Sequence, residues 1–184
     1  MLVPIVKIAG SERCIVAGSP SLDLLIPAGF RPAQAPRAAH FCAPPNLKKR
    51  CYKGRRAEGI RYEKKVHGYL DDFYGEHYLA SPWIKFFDEG KWRWCQPDGL
   101  IWDLARGVIT IVEVKYQHVE LAWWQTRRLY APVLQTMFPK QFWKIEVCEV
   151  VKWYDPAVVF PEKVILACDV DIPHSGFKVH IWRP

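Results

Sequence analysis

Val108-Ile109-Thr110-Ile111-Val112-Glu113-Val114-Lys115-Tyr116 is the run on which the fold turns. Its first five residues are apolar and β-branched almost without a break, which predicts a strand buried on both faces. Side chains alternate along a strand, so Glu113 and Lys115 share one face while Val114 takes the other. An acid and a cation side by side in so apolar a strand are rarely placed there without a metal, a phosphate or a partner.

Working towards the N-terminus, Leu104-Ala105-Arg106-Gly107 reads as a turn and Asp98 to Asp103 as the strand that pairs back on Val108 to Tyr116. That hairpin brings Pro97-Asp98 beside Glu113. Tyr78 to Phe87 reads as one strand, Asp88-Glu89-Gly90-Lys91 as a turn, and Trp92 to Gln96 as its continuation. From Ala57 to Tyr74, Tyr62, Val66, Tyr69 or Leu70, and Phe73 recur at helical spacing, and Gly75 supplies a stop. Towards the C-terminus, a helix is expected from Val119 to Phe138 with a kink at Pro132, then strands at Phe142–Trp153 and Lys163–Asp169 and a last edge strand at Phe177–Trp182. The order predicts an α/β domain with a central mixed β-sheet flanked by helices, covering residues 51–184.

Residues 1–50 read differently. Two β-prone scraps, Leu2–Ile8 and Cys14–Ala17, precede a stretch rich in Pro and Ala from Ser19 to Pro45. Its prolines exclude a long helix or a central strand, so an irregular Pro-rich N-terminal arm is expected. The arm leads into a basic run, Lys48, Lys49, Arg50, Lys53, Arg55 and Arg56, placed to meet phosphates.

The 184 residues suffice for one domain, and the net charge of +7 points to a polyanionic partner. The six cysteines include no Cys-x-x-Cys pair, which argues against a zinc site, an iron–sulfur cluster or a disulfide framework. No apolar run has transmembrane length and no signal peptide is evident, so no membrane partner and a cytoplasmic location are expected.

Phosphodiester hydrolysis requires a deprotonated water and neutralisation of charge on phosphorus, and divalent ions held by carboxylates supply both. Asp98 and Glu113 come from adjacent strands, the Val114 carbonyl is a further oxygen donor, and Lys115 lies on the Glu113 face. Glu63 borders the apolar stripe of the first helix and is preferred to Glu58 or Glu76 as a further acid. In these features the chain resembles the PD-(D/E)XK nuclease superfamily: Pro97-Asp98, then Glu113-Val114-Lys115, with Gly59-Ile60-Arg61-Tyr62-Glu63 in the preceding helix. The resemblance spans about Ala57 to Val151. It implies a restriction-endonuclease-like core and a Mg²⁺- or Mn²⁺-dependent deoxyribonuclease. Asp98, Glu113, Val114 and the accessory Glu63 would be metal ligands, and Lys115 would assist the water. The chain is also similar to the RecB-like, phage-type exonuclease branch, which places a Gln and a Tyr on the helix after the lysine. Gln125 and Tyr130 stand there, one residue further apart than in that branch, and Gln125 is taken as a catalytic candidate. Such a protein, if phage-encoded, would act in the host cell cytoplasm.

His67, Tyr116 and Arg128 are further candidates for contact with DNA, whether single- or double-stranded; exonuclease or endonuclease action and a homo-oligomer are left open. His118 is expected at the surface, and Asp88-Glu89 are expected as turn acids. Most of the nine tryptophans are expected in packing roles, with one or two free to stack on unpaired bases. The rival reading is a catalytically inactive nucleic-acid-binding module of the same fold, whose binding would be salt-sensitive and indifferent to chelator.

Overall fold

A computed structural model describes residues 27–46, 51–117, 119–153, 169–171 and 178–182. The early β-prone scraps, Lys48, Lys49, Arg50, His118 and the first six residues of the strand expected at Lys163–Asp169 lie outside the described residues. The chain is mixed α/β. Its elements run β1 (Ala38–Cys42), α1 (Arg55–Tyr74), β2 (Tyr78–Ala80), β3 (Trp83–Asp88), β4 (Lys91–Cys95), β5 (Gly99–Asp103) and β6 (Val108–Gln117). After these come α2 (Glu120–Gln125), a π turn (Thr126–Tyr130), α3 (Ala131–Met137), β7 (Lys144–Trp153), β8 (Asp169–Asp171) and β9 (Lys178–Trp182). No helix among the described residues is long and apolar enough to cross a membrane.

Six strands form the main sheet in the order β2-β5-β6-β7-β9-β8, and β1-β3-β4 form a second, three-stranded sheet. β6 lies inside the main sheet, antiparallel to β5 and parallel to β7, so its backbone is paired along both edges. The apolar run explains that position, because it can be covered on both faces. Val112 and Val114 pack under Tyr62, Val66 and Leu70 of α1. Ile109 and Ile111 pack against Trp123, Trp124, Val133 and Leu134 of α2 and α3. Fully burying such side chains contributes about 1.5–3 kcal/mol each, so these two layers hold β6 between them.

Helix α1 follows the expected stripe except at Phe73, which is exposed. Tyr62, Val66 and Leu70 recur every four residues and alone suffice for the buried face. The expected single strand from Tyr78 to Phe87 is instead two strands in two sheets. Ser81 adopts φ 46° and Pro82 follows, so the chain turns off β2 before it can continue as β3. Part of the Pro-rich stretch is also ordered onto the domain. Ala38–Cys42 pairs antiparallel with β3, and Ala33 enters the core. The strand expected at Phe142 starts at Lys144. β9 is not an edge, because β8 pairs on its outer side.

The expected kink at Pro132 takes the form of a π turn just before it. Proline has no N–H to give the Arg128 carbonyl, and its ring crowds that oxygen. Widening the turn releases the Arg128 carbonyl, which accepts a hydrogen bond from Ala33 N–H at 2.8 Å. Thr126 Oγ1 donates to Ala122 O at 2.9 Å and to Trp123 O at 3.1 Å, steadying the turn from its start.

Candidate functional site

Asp98 stands immediately before β5. Gly99 is level with Val112 across the hairpin, and Asp98 Oδ2 accepts a hydrogen bond from Val114 N–H at 2.7 Å. The carboxylate thus caps the strand pair and is held against the Glu113–Lys115 segment. Lys115 Nζ donates to Glu113 Oε1, closing an ion pair along one face of β6. Glu113 is 1% exposed, and its Oε2 is buried with no hydrogen-bond partner. Leaving a buried acceptor unmade costs about 1–3 kcal/mol, more when the group is charged. Kept charged, that oxygen would need a cation or a donor beside it.

The electrostatics agree with the geometry. Burial raises the Glu113 carboxyl above the ordinary glutamate range, the Lys115 ammonium opposes this, and the Asp98 charge adds to it. Burial likewise raises Asp98. Lys115 and the Val114 N–H pull it back, and Glu63 pushes it further up. Lys115 is moved upward because the fields of Glu113 and Asp98 outweigh its own burial. Two carboxylates competing for one ammonium make a site short of positive charge.

Both α1 and β2 border this centre. His67 Nδ1 lies 2.5 Å from Tyr78 Oη, while His67 Nε2 lies 3.4 Å from Glu63 Oε1 and 3.4 Å from Ser81 Oγ. Ser81 N–H donates to Asp98 O at 2.8 Å, tying the cluster to the loop that carries Asp98. Gly99 makes this arrangement possible. A Cβ there would fall 2.6 Å from Tyr78 Oη and 2.7 Å from its ring, so any larger residue displaces the tyrosine from His67.

On the face of β6 that carries Glu113, away from α1, Gln125 Nε2 donates to Tyr130 Oη at 3.3 Å, and Gln125 Oε1 is buried without a hydrogen-bond partner. Tyr130 is buried, and its hydroxyl is raised by that burial and then by the charges of Glu113 and Asp98. In a π turn, residues five apart share a face. The π turn thereby lets the Gln125 and Tyr130 side chains meet.

The structure brings Asp98, Glu113 and Lys115 together, with Val114 contributing its N–H to Asp98. Glu63 faces His67, and its charge reaches Asp98, but it does not join the centre as a ligating neighbour. Among the described residues no three His, Cys, Asp or Glu side chains stand close enough to hold a metal as a ready-made cage. Asp98, Glu113 Oε2 and Gln125 Oε1 are oxygen donors of the type that a hard divalent ion takes, the last two buried without a hydrogen-bond partner.

Tyr116 is half-buried, edge-on to Tyr62 at 6.1 Å, with the Lys152 ammonium 4.8 Å from its ring. Lys53, Arg55 and Arg56 are exposed around the start of α1, and Arg128 is exposed on the π turn. Asp88, expected at a turn surface, is fully buried. It pairs with Arg93 at 2.8 Å and accepts from Ala35 N–H at 2.9 Å.

Glu149 and Tyr78 escaped the sequence reading. Glu149 is fully buried on β7, level with Glu113 in the parallel register. Its signal was the one that marked Glu113, an acid inside an apolar run, Val147-Cys148-Glu149-Val150-Val151. Tyr78 carried no signal beyond its place before a β run. Compared with protein-family models, curated proteins and solved structures, the chain matches none.

Proposed function

We propose that this chain is a Mg²⁺- or Mn²⁺-dependent nuclease that hydrolyses DNA phosphodiester bonds at a PD-(D/E)XK-type site formed by Asp98, Glu113 and Lys115. The observation that carries this reading is the buried, partnerless Oε2 of Glu113, set beside a second carboxylate and a lysine. A structural ion pair would leave neither a spare carboxylate nor an orphaned oxygen.

A divalent ion held by Asp98 and Glu113 would supply charge neutralisation at the phosphate and a more acidic water. The chain's own residues do the rest. The Val114 N–H fixes Asp98. Lys115 holds Glu113 in place and presents an ammonium that orients the attacking water and meets charge developing on phosphorus. Glu63, on the α1 side, is an accessory acid aligned by His67. Gln125, braced by Tyr130, offers its carbonyl oxygen to the water or the phosphate. Lys53, Arg55 and Arg56 provide sequence-independent contacts to the DNA backbone.

The test is cleavage of end-labelled duplex, single-stranded and branched DNA with Mg²⁺, Mn²⁺ or chelator. Metal-dependent products that vanish in Lys115→Ala support the proposal. Salt-sensitive binding that ignores chelator, with no product on any substrate, overturns it in favour of the inactive binding module.

A further inference from the structure

The three-stranded sheet turns one face to the core and the other outward. Ile84, Phe86 and Cys95 are buried in the core. Alternation therefore sends Trp83, Lys85 and Phe87 of β3 to the other side. The strand register aligns them with neighbours on that side: His40 with Lys85 and Trp94 across the sheet, and Phe87 with Trp92. Trp92 and Trp94 are 43% and 47% exposed, unusual for the two largest side chains of a short strand. Lys85 Nζ lies 4.9 Å from the Trp92 ring centre and 5.4 Å from that of Trp94, while His40 meets Trp92 edge-on at 5.6 Å.

The charge on this face has one sign. Asp88, the acid of β3, alternates inward and is neutralised by Arg93, so the outward strand positions carry a lysine and a histidine and no carboxylate. Two exposed indoles with an ammonium between them match a strand of unpaired nucleotides. Indole faces accept bases whatever their sequence, and the cation accepts phosphate. A duplex keeps its base faces stacked inside, so it cannot use the indoles. The whole chain is basic, at +7. The face also leads into the candidate site along the backbone, since Trp94 precedes Asp98 by four residues.

We propose that the outer face of the β1-β3-β4 sheet, centred on Trp92, Trp94 and Lys85, binds single-stranded nucleic acid by base stacking. The binding needs no metal and goes beyond the hydrolytic reading. It would feed a single strand towards Asp98 if that reading holds.

The test is run in chelator, with fluorescein-labelled oligo(dT) and a duplex of equal length. The full chain is expected to prefer the single strand and to quench indole fluorescence on binding. Stacking on two indoles predicts that Trp92→Ala/Trp94→Ala weakens oligo(dT) binding about tenfold or more, with the thermal midpoint retained and the duplex scarcely affected. Trp94→Phe restores part of the loss, and Lys85→Glu lowers the salt dependence. Photocrosslinking of wild-type protein to an iodouracil-containing oligonucleotide is the check that needs no variant, and its adducts should map to Trp92 and Trp94. Adducts elsewhere, unchanged affinity in the folded double variant, or wild-type self-association that the double variant abolishes would overturn the proposal. The last outcome would assign the face to a second copy of the chain. Failure here leaves metal-dependent cleavage unaffected, and failure of cleavage leaves this binding measurable.

Discussion

Asp88 and Glu113 are both carboxylates sealed inside β-strands, one in each sheet, and the chain treats them in opposite ways. Asp88 is saturated. Arg93 Nη1 binds its Oδ2 at 2.8 Å, Gln34 N–H reaches the same oxygen at 3.3 Å and Ala35 N–H reaches Oδ1 at 2.9 Å. Arg93 donates in turn to Pro32 O at 2.9 Å and Arg31 O at 2.7 Å. The group thereby pins the Pro-rich segment to the small sheet. Glu113 has a lysine on one oxygen, nothing on the other and two more acids, Asp98 and Glu149, close enough to raise its proton affinity. The first arrangement is complete as built, and the second leaves one carboxylate oxygen without a hydrogen-bond partner, the oxygen that the proposed cation would bind. Burial alone therefore does not separate the two acids; the completeness of their pairing does.

The largest expected effect separates the two acids by which property each one loses. Glu113→Gln should lower metal-dependent DNA cleavage by at least about 10²-fold while the protein stays folded. Asp88→Ala strands the Arg93 guanidinium and should cost about 3–5 kcal/mol of stability, with cleavage per folded molecule retained. Thermal melting and cleavage assays on both variants give the comparison. If Asp88→Ala abolished cleavage without destabilising the protein, the contrast between the two acids would collapse.

Next in size is the response to metal. At about a hundred times its dissociation constant, an ion that binds only the folded state adds about 2.7 kcal/mol, a rise of roughly 5–11 °C in Tm for a chain of this size. Wild-type protein and Asp88→Asn should both show it with Mg²⁺ or Mn²⁺, and Glu113→Gln should lose most of it.

The pH profile sharpens the same point. Glu113 and Asp98 both have folded-state values raised by burial above their ordinary values of 4.5 and 3.8. The folded state then binds more protons than the unfolded state, so each carboxyl subtracts stability as pH climbs from its ordinary value towards its raised one. Metal-free protein should lose stability between about pH 5 and about pH 8, at no more than about 1.4 kcal/mol per pH unit for each group. Chemical denaturation across that range measures it. Glu113→Gln should flatten the slope, saturating metal should abolish it, and a flat wild-type profile would contradict the unmet charge.

The smallest effect concerns the cluster beside the site. Gly99→Ala forces a methyl into Tyr78 and should cost about 1–3 kcal/mol. It should also loosen the Tyr78–His67 hydrogen bond, an effect readable in the histidine ring signals by NMR.

Much of this was legible in the sequence because the signals were local. The apolar run of β6, the turn at Leu104–Gly107 and the spacing of Tyr62, Val66 and Leu70 place the hairpin and α1 without tertiary information. The pairing of Glu113 with Lys115 follows from alternation alone. What could not be read depends on distant partners. Asp88 looks like any turn acid until Arg93 and the Gln34–Ala35 amides close on it. The break at Ser81 depends on a left-handed backbone, and it decides which sheet Trp83 to Asp88 joins. That Gln125 and Tyr130 meet depends on the π turn before Pro132, which brings residues five apart onto one face. Glu149 becomes a neighbour of Glu113 only through the parallel register of β6 and β7.

The central claim is that the partnerless oxygen of Glu113 is a cation ligand. Anomalous scattering from a crystal of the full chain soaked in Mn²⁺ tests it most directly. The expected result is a peak at coordination distance, about 2.0–2.6 Å, from Glu113 Oε2 and from Asp98. A soaked crystal with Glu113 Oε2 still bare, or with manganese bound only elsewhere, would contradict it.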